Sequence, residues 1–159
     1  MACGDGRNAR YLAELGFDVD AVDISDVAIN ALRAAAQARG LSVDPRRCDL
    51  ERRGLGDHGG LGEAAYDVIV QINYLQRDLF GGLARALRPG GLLILETFTR
   101  ADREALGNHV EAPYLLDAGE LPTSFPGLEI IRHREAVVEH GERRRAVAGL
   151  VARRPAGGA

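Results

Sequence analysis

A chain of 159 residues with 46% apolar residues has room for one domain with its own core and none for a separate substrate domain of ordinary size. A formal net charge of −3 and a pI of about 5.8 argue against a nucleic-acid protein that works through a broadly basic surface, and because all 20 basic residues are Arg, a lysine nucleophile or Schiff base is excluded. Cys3 and Cys48 are too few for a disulfide framework and lack metal-ligand spacing, and no apolar run approaches about 18 residues. The expectation is a cytoplasmic protein with reduced thiols, no metal, no membrane span and no nucleic-acid partner.

The chain opens on a glycine turn, Gly4-x-Gly6-x-x-Ala9. A helix is predicted over Asn8 to Leu15, with Tyr11, Leu12 and Leu15 on its apolar face and Gly16 ending it. Phe17, Val19 and Ala21 then alternate with Asp18 and Asp20, and Val22 and Ile24 flank Asp23, which predicts a strand with a carboxylate at its end. Ser25 is a good cap for a helix to about Arg39, with Val27, Ala31, Leu32 and Ala35 or Ala36 as its buried stripe and Gly40 as its stop. Leu41 to Cys48 contains a short strand with Val43 in the core and Asp49-Leu50 at its end. Glu51 to Ala65 has no periodicity and reads as a surface connection with room for a helical turn.

Tyr66 to Ile72 is a buried parallel strand, followed by Asn73-Tyr74. Asp78 to Arg88 is helical, weakened by Gly81-Gly82 and stopped by Pro89-Gly90-Gly91; Leu92 to Leu95 is a central strand closed by Glu96. Thr97 to Leu116 breaks the rhythm and has the composition of a loop or lid. Glu120 to Phe125 makes one helical turn. Leu128 to Val138 and Arg143 to Val151 form a hairpin, with Gly149 marking a bulge or close packing, and Arg153 onward is a tail. The order is that of an α/β domain, mostly parallel, with an antiparallel hairpin at its C-terminal end.

The glycine turn alone is a weak signal, but the helix, strand and terminal acid that follow it are the arrangement that binds a nucleoside cofactor, with Asp23 accepting from two ribose hydroxyls. A nicotinamide enzyme would suit the same local pattern. In front of the turn a central strand of about five apolar residues is expected, and only Met1 precedes Ala2. Losing five such side chains forfeits roughly 7 to 15 kcal/mol, as much as a typical domain's whole stability. Met1 is therefore expected to be an internal or misassigned start; a truncated paralogue and a strand donated by a partner chain are the other readings.

The wider constellation separates the cofactors. Ala2 to Ala9 (A-C-G-D-G-R-N-A), V-D-I-S from Val22, C-D-L from Cys48, N-Y-L-Q-R from Asn73 and L-R-P-G-G-L-L-I-L-E-T-F from Leu87 together resemble the class I S-adenosylmethionine-dependent methyltransferases, most closely the small bacterial branch similar to tellurite-resistance methyltransferases. The resemblance implies a Rossmann-like sheet lacking its first strand, with residues 1–154 as the methyltransferase domain and 155–159 as a tail. It also implies roles. Cys3, Gly4 and Gly6 would approach the methionine and ribose portions of S-adenosylmethionine, Asp23 would hold the ribose diol, and Ile24 would pack on the adenine. Asp49 would accept from the adenine amino group beside the Leu50 amide, and Asn73 would lie near the sulfonium. Asn73, Tyr74 and Arg77 are the candidate catalytic residues, for methyl transfer to a small-molecule acceptor whose nucleophile, S, O, N or metalloid, stays open.

Ala2 departs from the family, standing where the first glycine of the turn usually lies. Glu96, His109 and Tyr114 are further candidates for the pocket or lid. Cys3 is expected to be shielded and to support the backbone of the turn, although a helix N-terminus would lower its thiol pKa; His58, His133 and His140 are expected to be exposed and Arg143-Arg144-Arg145 to be a solvated strand start. The alternatives are a nicotinamide-dependent oxidoreductase and a non-catalytic truncated relative, and the expected assembly is a monomer or homodimer, strand completion by a partner included.

Overall fold

The computed structural model describes residues 1–51, 61–141 and 143–157. Most of the 51–65 connection, His58 included, the Glu142 turn position and the last two residues of the tail lie outside the described residues, as does the side chain of His140. The chain divides into two compact units, residues 1–52 and 53–159.

In the first unit, α1 (Arg7–Glu14) leads to β1 (Val19–Asp23), α2 (Asp26–Arg39) and β2 (Val43–Arg47), and β1 and β2 pair in parallel from Val19 opposite Val43 to Asp23 opposite Arg47. The hydroxyl of Ser25 accepts from the Ala28 amide to cap α2, and Gly40 ends it in the left-handed conformation, both as expected. The buried faces differ from those expected. Ala9 and Ala13 are the buried residues of α1, whereas Tyr11 and Leu15 are 61% and 59% exposed. On α2 Leu32 and Ala36 are buried as expected, with Ile29 beside them in place of Val27 and Ala31, which face solvent. On α1 the reason is close packing: Ala9, Ala21 and Leu32 form one buried cluster with Cys3, Val19 and Val43 against it, and the alanines of α1 let the helix lie nearer the strand than Tyr or Leu would.

The second unit is a four-stranded sheet in the order β3-β4-β6-β5. Its strands are β3 (Tyr66–Ile72), β4 (Leu87–Phe98), β5 (Glu129–His140) and β6 (Arg143–Arg153), with α3 (Phe80–Ala86), α4 (Arg100–Glu104) and α5 (Glu120–Ser124) between them. β3 and β4 are parallel; β6 runs antiparallel to both β4 and β5. The helix expected to reach Arg88 ends at Ala86, because Leu87 already pairs with Tyr66. Arg88 to Gly91 then loop out before Leu92 pairs with Val68. Gly91 is required there, since a Cβ would sit 2.9 Å from the Arg88 carbonyl oxygen and 3.1 Å from that of Tyr66. The strand also runs past Glu96 to Phe98, held by β6 opposite Val147. Gly149 marks close packing: the register is continuous there, and a Cβ would meet the Glu96 carboxylate at 3.2 Å. Arg154 is paired too, its amide donating to the Gly91 carbonyl and its own carbonyl accepting from Gly90.

The strands thus give the parallel α/β pattern with a terminal hairpin, divided between two sheets. Among the described residues, β1 pairs with β2 alone and β3 with β4 alone. No helix is long and apolar enough to cross a membrane.

Candidate functional site

The first unit gathers Cys3, Gly4, Gly6, Asp23 and Ile24 at the C-terminal end of β1. The Cys3 amide donates to the Val22 carbonyl at 2.9 Å, which lays the turn alongside the strand. The carboxylate of Asp23 then accepts from the Gly4 amide at 2.8 Å through Oδ2 and from the Ser25 amide at 2.9 Å through Oδ1. One side chain therefore fixes both the glycine turn and the entry to α2. Gly6 has φ +78°, accepts from the Arg10 amide at 2.8 Å, and lies so close to Leu32 that a Cβ would fall within 3.0 Å of it. Gly4, at φ +52°, faces open space instead.

These residues fit a nucleoside. Each Asp23 oxygen uses one lone pair on a backbone amide and keeps another for a hydroxyl donor. The bare backbone at Gly4 permits close approach, and Ile24, 56% exposed, offers an apolar face of a size to cover a planar ring. Asp49, after β2, uses Oδ1 to accept from the Glu51 amide at 3.1 Å, and Leu50 beside it is buried. Cys3 packs against the Ala9, Ala21 and Leu32 cluster as a shielded residue, and burial, followed by the negative charge of Asp23, pushes its thiol up where a helix start alone would lower it.

The second unit gathers Asn73, Tyr74 and Arg77 just after β3. Asn73 has φ +56°, a left-handed conformation that a non-glycine residue seldom holds, and its amide donates to the Glu96 carbonyl at 2.8 Å. The Tyr74 carbonyl accepts from the side-chain amide of buried Gln71 at 3.1 Å. Arg77 is committed within the protein: its guanidinium donates to both Glu120 oxygens at 2.6 and 2.8 Å, to the Pro113 carbonyl at 2.8 Å and to the Leu115 carbonyl at 2.9 Å. Glu120 escaped the sequence reading, because nothing local marks a glutamate at the start of a one-turn helix as the partner of an arginine 43 residues earlier.

Among the remaining residues that the structure describes, His133 and Arg145 depart from their expected exposure. Glu96 bonds Arg134 at 2.8 Å over Gly149. His133 is half-buried, 3.7 Å from Glu135. Arg145 is no solvated strand start: it pairs with fully buried Asp102 and lies 3.6 Å over the Phe98 ring. His109 is exposed on the segment between β4 and α5, and Tyr114 is partly exposed there. No metal-ligand cluster occurs among the described residues.

A glycine turn bound to a strand-end carboxylate, within parallel α/β units closed by an antiparallel hairpin, defines a nucleoside-binding α/β protein. The methyltransferase domain family matches residues 1–91, more than half of the chain, and the chain belongs to that family, the class I S-adenosylmethionine-dependent methyltransferases. It is 33% identical over 120 residues to the ubiquinone biosynthesis O-methyltransferase of Methylocella silvestris, covering 72% of this chain and 44% of that one. It is 28% identical over 121 residues to its counterpart in Caulobacter sp. (strain K31), covering 73% and 46%. The chain spans about half the length of the curated relatives it matches. Its fold is similar to that of TehB from Haemophilus influenzae, with a TM-score of 0.80 at 18% identity over 96% of this chain and 55% of that one. S-adenosylmethionine is the cofactor of this family, which sets the nicotinamide alternative aside.

Proposed function

We propose that this chain transfers the methyl group of S-adenosylmethionine to a small-molecule acceptor. The observation that carries the proposal is the Asp23 carboxylate, held by the Gly4 and Ser25 amides with a free lone pair on each oxygen. Asp23 is proposed to bind the ribose hydroxyls, Cys3, Gly4 and Gly6 to border the methionine and ribose portions, Ile24 to cover the adenine, and Asp49 with the Leu50 amide to read its edge. When bound, S-adenosylmethionine supplies a methyl already activated on a sulfonium, so the protein's work is alignment and exclusion of water and no covalent nucleophile is called for. Asn73 and Tyr74 are proposed to face the acceptor. Arg77 is proposed to act through the 112–120 segment, since its donors are already engaged there.

The domain is proposed to comprise residues 1–154, as a monomer or homodimer. A hydroxyl acceptor is the first to test, because the curated relatives above are named O-methyltransferases. The test supplies labelled S-adenosylmethionine with separate pools of phenols, thiols and amines and measures S-adenosylhomocysteine. Turnover with one pool, lost in Asp23→Ala, supports the reading. Turnover with none, or turnover indifferent to Asp23→Ala, contradicts it.

A further inference from the structure

A second built feature lies entirely within the second unit, at the start of β6. Asp102, on α4, is fully buried and accepts from Arg145 Nε at 3.0 Å, Arg145 Nη2 at 2.9 Å, the Asn108 side-chain amide at 3.2 Å and the Ala146 amide at 2.8 Å. Asn108 also donates to the Arg144 carbonyl at 3.0 Å. One carboxylate thus immobilises a guanidinium and an amide on the wall of a cavity of about 280 Å³, which Gly107, His109, Val110 and Arg143 complete.

The lining carries two arginines, a histidine and no carboxylate of its own. Arg143 and Arg145, two residues apart on one strand, project from the same face of β6. Asp102 balances the charge of Arg145 alone, and it engages only Nε and Nη2, so Nη1 is left over. Among the described residues, neither the Arg143 guanidinium nor the His109 imidazole has a partner. A pre-positioned guanidinium beside a second, uncompensated one suits an oxyanion, which both can grip through charge-assisted hydrogen bonds.

We propose that this cavity binds the oxyanion group of a small molecule, a carboxylate or a phosphate, with Arg143 and Arg145 as its ligands. The site goes beyond the methyltransferase reading and is tested without turnover. The intact chain, observed through its arginine Nε–H resonances by NMR, is titrated at constant ionic strength with sodium benzoate and separately with inorganic phosphate. Saturable shifts of Arg143 and Arg145 with either probe are expected, with binding weakened at least about tenfold in Arg143→Gln and unchanged in Arg88→Gln, whose side chain pairs with Asp67 elsewhere in the same unit. Saturation by benzoate alone identifies a carboxylate site, by phosphate alone a phosphate site, and by both a site for the shared oxyanion. The absence of saturation with both probes, or equal affinity in Arg143→Gln, overturns the proposal.

Discussion

Asp23 shows how much a single side chain settles. Its two backbone hydrogen bonds shape the turn before any ligand is present, and the adjoining Gly6 is tied to Leu32 by contact. Gly6→Ala is expected to destabilise the protein by about 1–3 kcal/mol, because the methyl meets Leu32 and φ is positive; chemical denaturation measures it. Gly4→Ala meets open space, so its cost is the backbone strain alone, smaller than that of Gly6→Ala. Asp102→Ala removes the partner of a mostly buried Arg145 and should cost about 3–5 kcal/mol, read from the same curves. Asp23 was legible in the sequence because turn, helix, strand and acid follow one another at short range. Asp102 was not, because its partner lies 43 residues away. At Cys3 the expected shielding holds, and the pull of the nearby helix start, a local cue, is outweighed by burial and the facing Asp23, which are products of the fold.

Strands that stand on their own apolar runs were legible as elements: Tyr66 to Ile72 forms β3 with the bounds expected. β4 was legible only in its middle, since the pairing of Leu87 with Tyr66 and of Phe98 with Val147 extends it at both ends. The face of α1 differs because apolarity alone does not tell which side will approach a strand closely, and alanine wins where the approach is tight; on α2 the expected Leu32 and Ala36 are buried, with Ile29 in place of Val27 and Ala31. Between elements, the Arg77–Glu120 pair joins the segment after β3 to α5. The hydrogen bond from Arg77 holds the Glu120 carboxyl below its ordinary value of 4.5. A carboxyl with a lowered folded-state pKa contributes stability at pH above its ordinary value and loses it as pH falls through the folded value. The melting-temperature gap between the wild type and Glu120→Gln is therefore expected to be full near neutral pH and to close on acidification below 4.5. A gap independent of pH would mean that the carboxylate charge is not what joins these segments.

For the molecule as a whole, the family match over residues 1–91 places the chain among the methyltransferases, and those residues contain the glycine turn, the strand-end acid and the Asn73 motif on which the resemblance rests. Catalysis by alignment makes cofactor binding separable from turnover, so Asn73→Ala is expected to lower the methyl-transfer rate by more than it lowers affinity for S-adenosylhomocysteine; a larger loss of affinity than of rate would place Asn73 with the cofactor-binding residues instead. Asp23 and the glycine turn are proposed to bind the cofactor's nucleoside. Calorimetric titration of S-adenosylhomocysteine into the folded chain, beside Asp23→Ala, measures this binding. Micromolar binding by the wild type and at least about a tenfold loss in the variant are expected. No binding by the folded wild type, or equal binding by both, would contradict the proposal.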